Sequence, residues 1–316
     1  MQTEDRPIDP ALLAAVEETQ AMPGEADGVE LPEAEARRLA SELRARRLAR
    51  ATGGHERVLR DNWYVTAPGR EIPLALYRRD ADTPARPLLY FHGGGWAVGS
   101  IVTHDALCAH LAARTGMAVI SVHYRRTPEN PYPAQQADGQ AVLDWLLRHA
   151  AILKLDFGPG WVIGGDSAGA HVALTLAYAL RGLERAPRAQ LLFYPALDPG
   201  LDTLSARLYA DGPALTRASM RWYWRALLGG GMPEGALPLR WPDLSALPST
   251  VLVTAEHDLL RDEGELLHQR LAAQGIDVRF RRAPGMLHGF ARLLNASEAA
   301  RRQVDDAADA LLSLLR

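Results

Sequence analysis

Residues 161–171 read WVIGGDSAGAH, an apolar run that ends in two glycines and leads into one serine, Ser167. The apolar run predicts a buried strand and residues 168–181 predict a helix, so Ser167 lies at the turn between them. GDSAG, residues 165–169, fits the G-x-S-x-G pattern in the strand-turn-helix context that this pattern requires. Glycines two residues before and after the serine leave room for a strained turn that exposes the hydroxyl. The stretch indicates a nucleophilic serine; a glycine-rich turn without a chemical role is the alternative.

Apolar runs and helical segments alternate on both sides of this stretch. WYVTAP and IPLALYRR, joined by a Gly-Arg turn, predict an antiparallel strand pair. Further strands are predicted at 87–92, 117–124, 161–165, 190–195, 250–255 and 277–283. Helices are predicted between them at 104–114, 134–149, 168–181, 264–274 and 298–315. The alternation predicts an α/β fold with a mostly parallel eight-stranded sheet and helices on both faces.

Two regions depart from the alternation. Residues 1–55 predict two helices, the first capped by Asp9 before Pro10. TRASMRWYWRALLGGG predicts a helix that begins after Thr216 and ends in glycines. Its apolar face packs in the core or walls a pocket. We therefore predict an N-terminal helical cap at 1–55 and a catalytic domain at 56–316, with a cap insertion at about 198–245.

The composition excludes several classes of protein. The chain has 316 residues, 47% hydrophobic and 23% charged, which is typical of a globular protein. A net charge of −3 favours neither nucleic acid nor stable association with a membrane. The single cysteine, Cys108, cannot form an internal disulfide, and the N-terminus resembles no signal peptide. These features predict a cytoplasmic protein.

A second glycine-rich stretch, His92-Gly93-Gly94-Gly95, follows the predicted strand PLLYF. Consecutive glycines leave backbone N–H groups uncovered, so these groups can stabilise the oxyanion of an acyl-transfer reaction. We predict Gly93, Gly94 and Ala168 as the donors. A flexible loop or a phosphate cradle is the alternative, but a cradle would need a following lysine or a G-x-G-x-x-G spacing.

A serine nucleophile needs a base and an acid, in the chain order Ser, acid, His. The sequence GMLHGF offers His288, and Asp258 directly follows the predicted strand TVLVTAE. Asp262 is the alternative acid, but Asp258 lies nearer the end of the strand, where ligand-facing loops emerge. The other histidines, such as His104 and His171, are assigned to packing or to the surface. Since no zinc-binding spacing is present, we predict no metal and no cofactor.

These motifs resemble those of the hormone-sensitive lipase family of α/β-hydrolases, in its GDSAG-bearing branch. The resemblance extends from Trp63 to the C-terminus and is carried by FHGGGW (91–96), YRRTPENPYPA (124–134), GDSAG (165–169), AEHDLLRDEG (255–264) and GMLHGF (285–290). It implies the α/β-hydrolase fold, a triad of Ser167, His288 and Asp258, and the oxyanion hole named above. The chain departs from the usual family pattern at Arg126, Thr127, Asn130, Tyr132, Ala170 and Leu259.

The resemblance implies a carboxylesterase that acts on small esters with short to medium acyl chains. Trp96, Trp222 and Trp224 are the predicted substrate-binding residues at the pocket wall. An amidase, deacetylase or acyltransferase with the same triad is the alternative. A ligand-binding protein without activity is a further alternative, against which the presence of His288 weighs. The resemblance also implies a homodimer through the predicted edge strand DVRFRRA.

Overall fold

The computed structural model describes residues 6–20, 33–52 and 57–316. Within them the sheet has eight strands in the order β1-β2-β4-β3-β5-β6-β7-β8. The strands are β1 (Leu59–Ala67), β2 (Arg70–Arg78), β3 (Pro87–Phe91), β4 (Ala118–Val122), β5 (Val162–Asp166), β6 (Ala189–Phe193), β7 (Ser249–His257) and β8 (Val278–Leu287). β2 is antiparallel to β1 and β4, and the other neighbours are parallel. The predicted mostly parallel sheet is confirmed.

Helices cover both faces of the sheet, as predicted. They are α1 (Pro10–Gln20), α2 (Glu33–Thr52), α3 (Asp105–Thr115), α4 (Ala134–His149), α5 (Ala168–Leu180), α6 (Leu204–Leu208), α7 (Arg217–Leu228), α8 (Arg261–Ala273) and α9 (Glu298–Leu314). Buried side chains of α4, α5 and α8 form one core with the sheet. Those of α1, α3 and α9 form a second core on the other face.

The central strands explain why the site residues meet. β3, β5 and β6 are buried along their whole length, which is why they read as continuous apolar runs. Parallel strands have their carboxyl ends at the same edge of the sheet. The loops after β3, β5, β7 and β8 therefore emerge side by side, and they carry the two glycine-rich motifs, Asp258 and His288.

The helices outside the alternation have the predicted caps. Asp9 accepts a hydrogen bond from the Leu12 N–H at 2.9 Å, where α1 begins. Thr216 accepts one from the Ser219 N–H at 3.1 Å, and α7 ends at Gly229 with a left-handed φ of 58°. Both helices therefore begin where the sequence predicts.

β8 forms one edge of the sheet, and the homodimer through this strand stays a prediction. In the described part of the chain, no helix combines the length and the hydropathy needed to cross a bilayer.

Candidate active site

Ser167 occupies a strained turn between β5 and α5. Its φ of 53° lies in the left-handed region, which a residue with a side chain rarely adopts. Gly165 and Gly169 flank it, and a Cβ on either glycine would collide with the backbone carbonyl of Phe91 at the end of β3. The small residues in GDSAG are therefore required by close backbone approach, and the turn holds the hydroxyl out at the end of the sheet.

The three residues of the predicted triad meet in one hydrogen-bonded chain. His288 Nε2 lies 2.9 Å from Ser167 Oγ, and His288 Nδ1 lies 2.7 Å from Asp258 Oδ2. Asp258 is 1% exposed, and its other oxygen accepts the Leu260 N–H at 3.0 Å. With the Nδ1–H donating to the carboxylate, Nε2 is left to accept the serine proton. The arrangement can generate a serine nucleophile.

Asp262, the alternative acid, lies elsewhere. Its carboxylate accepts the Ser205 N–H at 2.7 Å and a hydrogen bond from Arg261 at 3.0 Å. It therefore joins α8 to α6, and His288 is bonded to Asp258 instead.

One of the three predicted oxyanion donors, Gly93, is already hydrogen-bonded. The Gly93 N–H donates to Asp166 Oδ1 at 3.0 Å, with His104 Nε2 at 3.2 Å, so it faces away from the reacting oxygen. The prediction of Gly93 as an oxyanion donor is therefore wrong. Gly94 and Gly95 line the cavity beside Ser167. Among the described residues, their N–H groups and that of Ala168 have no acceptor, so these three are the candidate donors.

Asp166 fixes the glycine loop, residues 93–95, against the turn that carries Ser167. It accepts hydrogen bonds from the Tyr90 hydroxyl at 3.0 Å and the Gly93 N–H, and it faces His104 Nε2 at 3.2 Å. Burial favours a raised pKa for Asp166, but His104 and these donors hold the pKa below its ordinary value. The result is a buried carboxylate that stays ionised next to Ser167.

The sequence predicts that His104 packs in the core or lies at the surface, and it predicts no role for Asp166. Their contact joins residues that lie 62 positions apart in the chain. No local pattern identifies such a pair; the only signal is that Asp166 lies within GDSAG.

A cavity of about 300 Å³ opens in front of Ser167. Trp96 and Trp224 are at most 1% exposed and pack on each other with ring centroids 4.6 Å apart. Trp222 is half-buried beneath the Arg37 guanidinium at 4.8 Å and does not line the cavity. The prediction that these tryptophans wall the pocket is therefore wrong. Instead, α7 contributes two other side chains to the lining, Met220 and Tyr223.

The fold and the Ser-His-Asp chain define a serine hydrolase. A family model described as the alpha/beta hydrolase fold matches residues 88–292. The chain belongs to the hormone-sensitive-lipase-like family of α/β-hydrolases.

Relatives named as ester hydrolases match most of the chain. It is 34% identical to carboxylesterase NlhH of Mycobacterium tuberculosis, over 90% of this chain and 88% of that protein. It is 33% identical to ethyl acetate hydrolase of Pseudomonas putida, over 75% and 76% of the two chains. It matches carboxylic ester hydrolase LipN of Mycobacterium tuberculosis at 34% identity, spanning 63% of that protein's length.

Solved structures of esterases share the fold over nearly its whole length. Esterase LipW from Mycobacterium marinum superposes with a TM-score of 0.85 at 32% identity, covering 98% of both chains. The Pyrobaculum calidifontis esterase superposes with a TM-score of 0.87 at 30% identity, covering 97% of this chain and 99% of that one.

Proposed function

We propose that Ser167, His288 and Asp258 hydrolyse carboxylic esters with short to medium acyl chains through an acyl-enzyme. That the protein is a carboxylic ester hydrolase follows from its family and from relatives named as carboxylesterases. The observation that carries the residue assignment is the Asp258–His288–Ser167 hydrogen-bonded chain, with contacts of 2.7 and 2.9 Å.

The geometry leads to a two-step reaction. Ser167 Oγ attacks the ester carbonyl carbon while His288 Nε2 takes its proton, and Asp258 stabilises the resulting imidazolium. The N–H groups of Gly94, Gly95 and Ala168 stabilise the oxyanion. The imidazolium then gives the proton to the leaving alcohol. A water molecule, activated by the same histidine, releases the acid from Ser167.

The size and lining of the cavity support short to medium acyl chains. Its volume of about 300 Å³ lies at the lower end of the range for small-molecule sites. Val98, Leu215, Met220 and Tyr223 give it apolar walls suited to a hydrocarbon chain. We assign the cap role to residues 1–55 and about 198–245, because α1, α2 and α7 contribute side chains to this cavity.

Ser167→Ala tests the mechanism. With p-nitrophenyl butyrate as substrate, we expect kcat to fall by about 10⁵- to 10⁶-fold, while circular dichroism and Tm show an intact fold. Ser313→Ala, on the exposed side of α9, is the matched control and keeps full activity. Full turnover by Ser167→Ala would remove the proposed nucleophile.

An acyl series tests the substrate class. With p-nitrophenyl esters from acetate to palmitate, we expect kcat/KM to be highest at short to medium chains and low at palmitate. A preference for long, emulsified chains would contradict the proposed substrate class.

A further inference from the structure

The accessible charged side chains that line the cavity in front of Ser167 are positive. Arg37 and Arg292 both line it. The lining carboxylate, Asp166, is 2% exposed and is already bonded to Gly93, Tyr90 and His104. A substrate that enters the described part of this cavity therefore meets accessible positive charge but no accessible carboxylate.

Arg292 is held close to the triad. It belongs to the one-turn 3₁₀ helix Phe290–Leu293, which directly follows His288 and Gly289. The other residues of this turn are buried and anchor it, whereas Arg292 is exposed. Its Nε lies 3.3 Å from the point that a Cβ on Gly289 would occupy. The guanidinium stem thus folds against the residue that follows the catalytic histidine.

The Arg292 side chain has no hydrogen-bond or ion-pair partner within the described residues, and its charge acts on the buried Tyr194. No hydrogen bond from its side chain forms there, and no carboxylate lies within 4.0 Å of it. Two other arginines of the C-terminal part of the chain are paired: Arg281 with Asp306 at 2.8 Å and Arg302 with Glu298 at 2.7 Å. Arg37, by contrast, is engaged by the ring of Trp222. The five N–H donors of Arg292 are therefore available to a ligand.

The mechanism indicates which part of the substrate meets this charge. His288 Nε2 returns its proton to the leaving oxygen, so the alcohol part of the ester must lie against His288. Arg292 lies beside the adjoining Gly289. A carboxylate on a short alcohol part would therefore reach the guanidinium, which binds carboxylates with two parallel hydrogen bonds.

We propose that the cavity selects short esters whose alcohol part carries a carboxylate, and that Arg292 binds this carboxylate. The substrate class is thus an acylated short hydroxy acid, which water converts to a free carboxylic acid and the hydroxy acid. The inference rests on the proposed function, since it concerns the same site.

A pair of matched substrates tests it: the butyryl ester of glycolate, which is anionic, and that of glycolamide, which is neutral. We expect the wild-type protein to prefer the anionic ester by about tenfold in kcat/KM, the effect of one charge-assisted hydrogen-bonding pair. Arg292→Gln should bring the ratio close to one, and Arg292→Lys should keep part of it. High salt should reduce the wild-type ratio. Arg302→Gln, remote from the cavity, should leave the ratio unchanged.

Two results would overturn the inference. One is equal kcat/KM for both esters in the wild-type protein. The other is an unchanged ratio in Arg292→Gln, including a variant that loses activity equally on both esters. Hydrolysis of p-nitrophenyl butyrate by the same preparations separates these results from a failure of the proposed function, in which the wild-type protein hydrolyses none of the three esters.

Discussion

The loops at the carboxyl ends of the strands and the helix α2 above them are held in different ways. Asp166 and Asp258 are at most 2% exposed, and each is bonded to a neighbouring loop, Asp166 to the Gly93 N–H and Asp258 to His288. In α2, Leu39 and Leu43 are 43% and 44% exposed. The Arg38 guanidinium joins this helix to the loops after β3 and β4 by donating hydrogen bonds to the carbonyls of Ala97 and Thr127, at 2.8 and 2.7 Å.

The difference shows where the chain tolerates change. Removing one partner of a buried charge costs about 3–5 kcal/mol, whereas an exposed ion pair contributes about 0–1 kcal/mol. Each buried interaction of the loops around Ser167 is therefore expected to contribute more to stability than an exposed ion pair does. Helix α2 is fixed by fewer and weaker interactions, whereas α1 and α7 bury Leu12 and Trp224 in the core. We therefore expect α2 to be the part of the proposed cap where substrate preference can vary without loss of the fold.

Among the variants that test this comparison, Asp258→Asn in the loop after β7 should lower kcat the most. An amide cannot hold His288 in the tautomer that leaves Nε2 free, so we expect kcat to fall by about 10⁴-fold while the fold is kept. Steady-state kinetics with p-nitrophenyl butyrate measures this. Asp262→Asn is the matched control, since its carboxylate bonds to Ser205 and Arg261 and should affect Tm more than kcat. A larger loss of kcat in Asp262→Asn would reverse the assignment of the acid.

The sequence places the three residues of the proposed triad after predicted strands, and for Ser167 and Asp258 the preceding apolar run is clear. The predicted strand before His288, residues 277–283, is mostly polar, and there the local signal is the motif GMLHGF. Parallel strands then bring the loops together without further information. The boundaries of α4, at Ala134 and His149, match the predicted helix 134–149 for a similar reason, because the helical period of the sequence is a local property.

The errors have a common cause, since they depend on contacts between distant residues. Gly93 looks like its neighbours in the sequence, and only the position of Asp166 shows that its N–H is already bonded. Trp224 and Tyr223 are adjacent on α7, and only the packing of Trp96 decides that the tryptophan is buried and the tyrosine faces the cavity. The helical spacing of apolar residues predicts which face of a helix is apolar, but not which residues pack against that face.

Gly95→Ala tests the contact between the glycine loop, residues 93–95, and Tyr223 of α7 in the proposed cap. Gly95 has a φ of 56°, and a Cβ there would collide with the ring of Tyr223. We expect kcat to fall by about 10²- to 10³-fold, as on loss of an oxyanion donor. Adding Tyr223→Ala should restore part of the rate by removing the collision.

Gly182→Ala is the control for backbone strain alone. Gly182 has a φ of 73°, and a Cβ on it would meet nothing within 4 Å. It should lower stability by about 1 kcal/mol without changing kcat. Wild-type kcat in Gly95→Ala would show that this N–H is not a donor to the oxyanion.

Glu263→Gln tests the contact between α8 and the chain at Leu197, where the catalytic domain leads into the proposed cap insertion. It should give the smallest effect of these variants. Glu263 lies on α8, is 2% exposed, and accepts the Leu197 N–H at 2.7 Å, directly before the cap insertion. Burial raises the pKa of Glu263 well above its ordinary value, and the charges of Asp198 and Asp258 add to the rise. Above the unfolded pKa of about 4.3, the folded state therefore binds more protons than the unfolded state.

It follows that this carboxyl stabilises the fold most below the unfolded pKa, and that its contribution declines as the pH rises toward the folded pKa. Glutamine keeps the acceptor for Leu197 but cannot ionise. Urea unfolding between pH 4 and 8 should therefore show the wild-type protein losing stability relative to Glu263→Gln as the pH rises, by at most about 1.4 kcal/mol per pH unit. Glu298→Gln, exposed on α9, should show no such slope. A constant difference between wild type and Glu263→Gln would mean that Glu263 ionises as easily in the folded protein as in the unfolded chain, and that burial at this joint has no electrostatic cost.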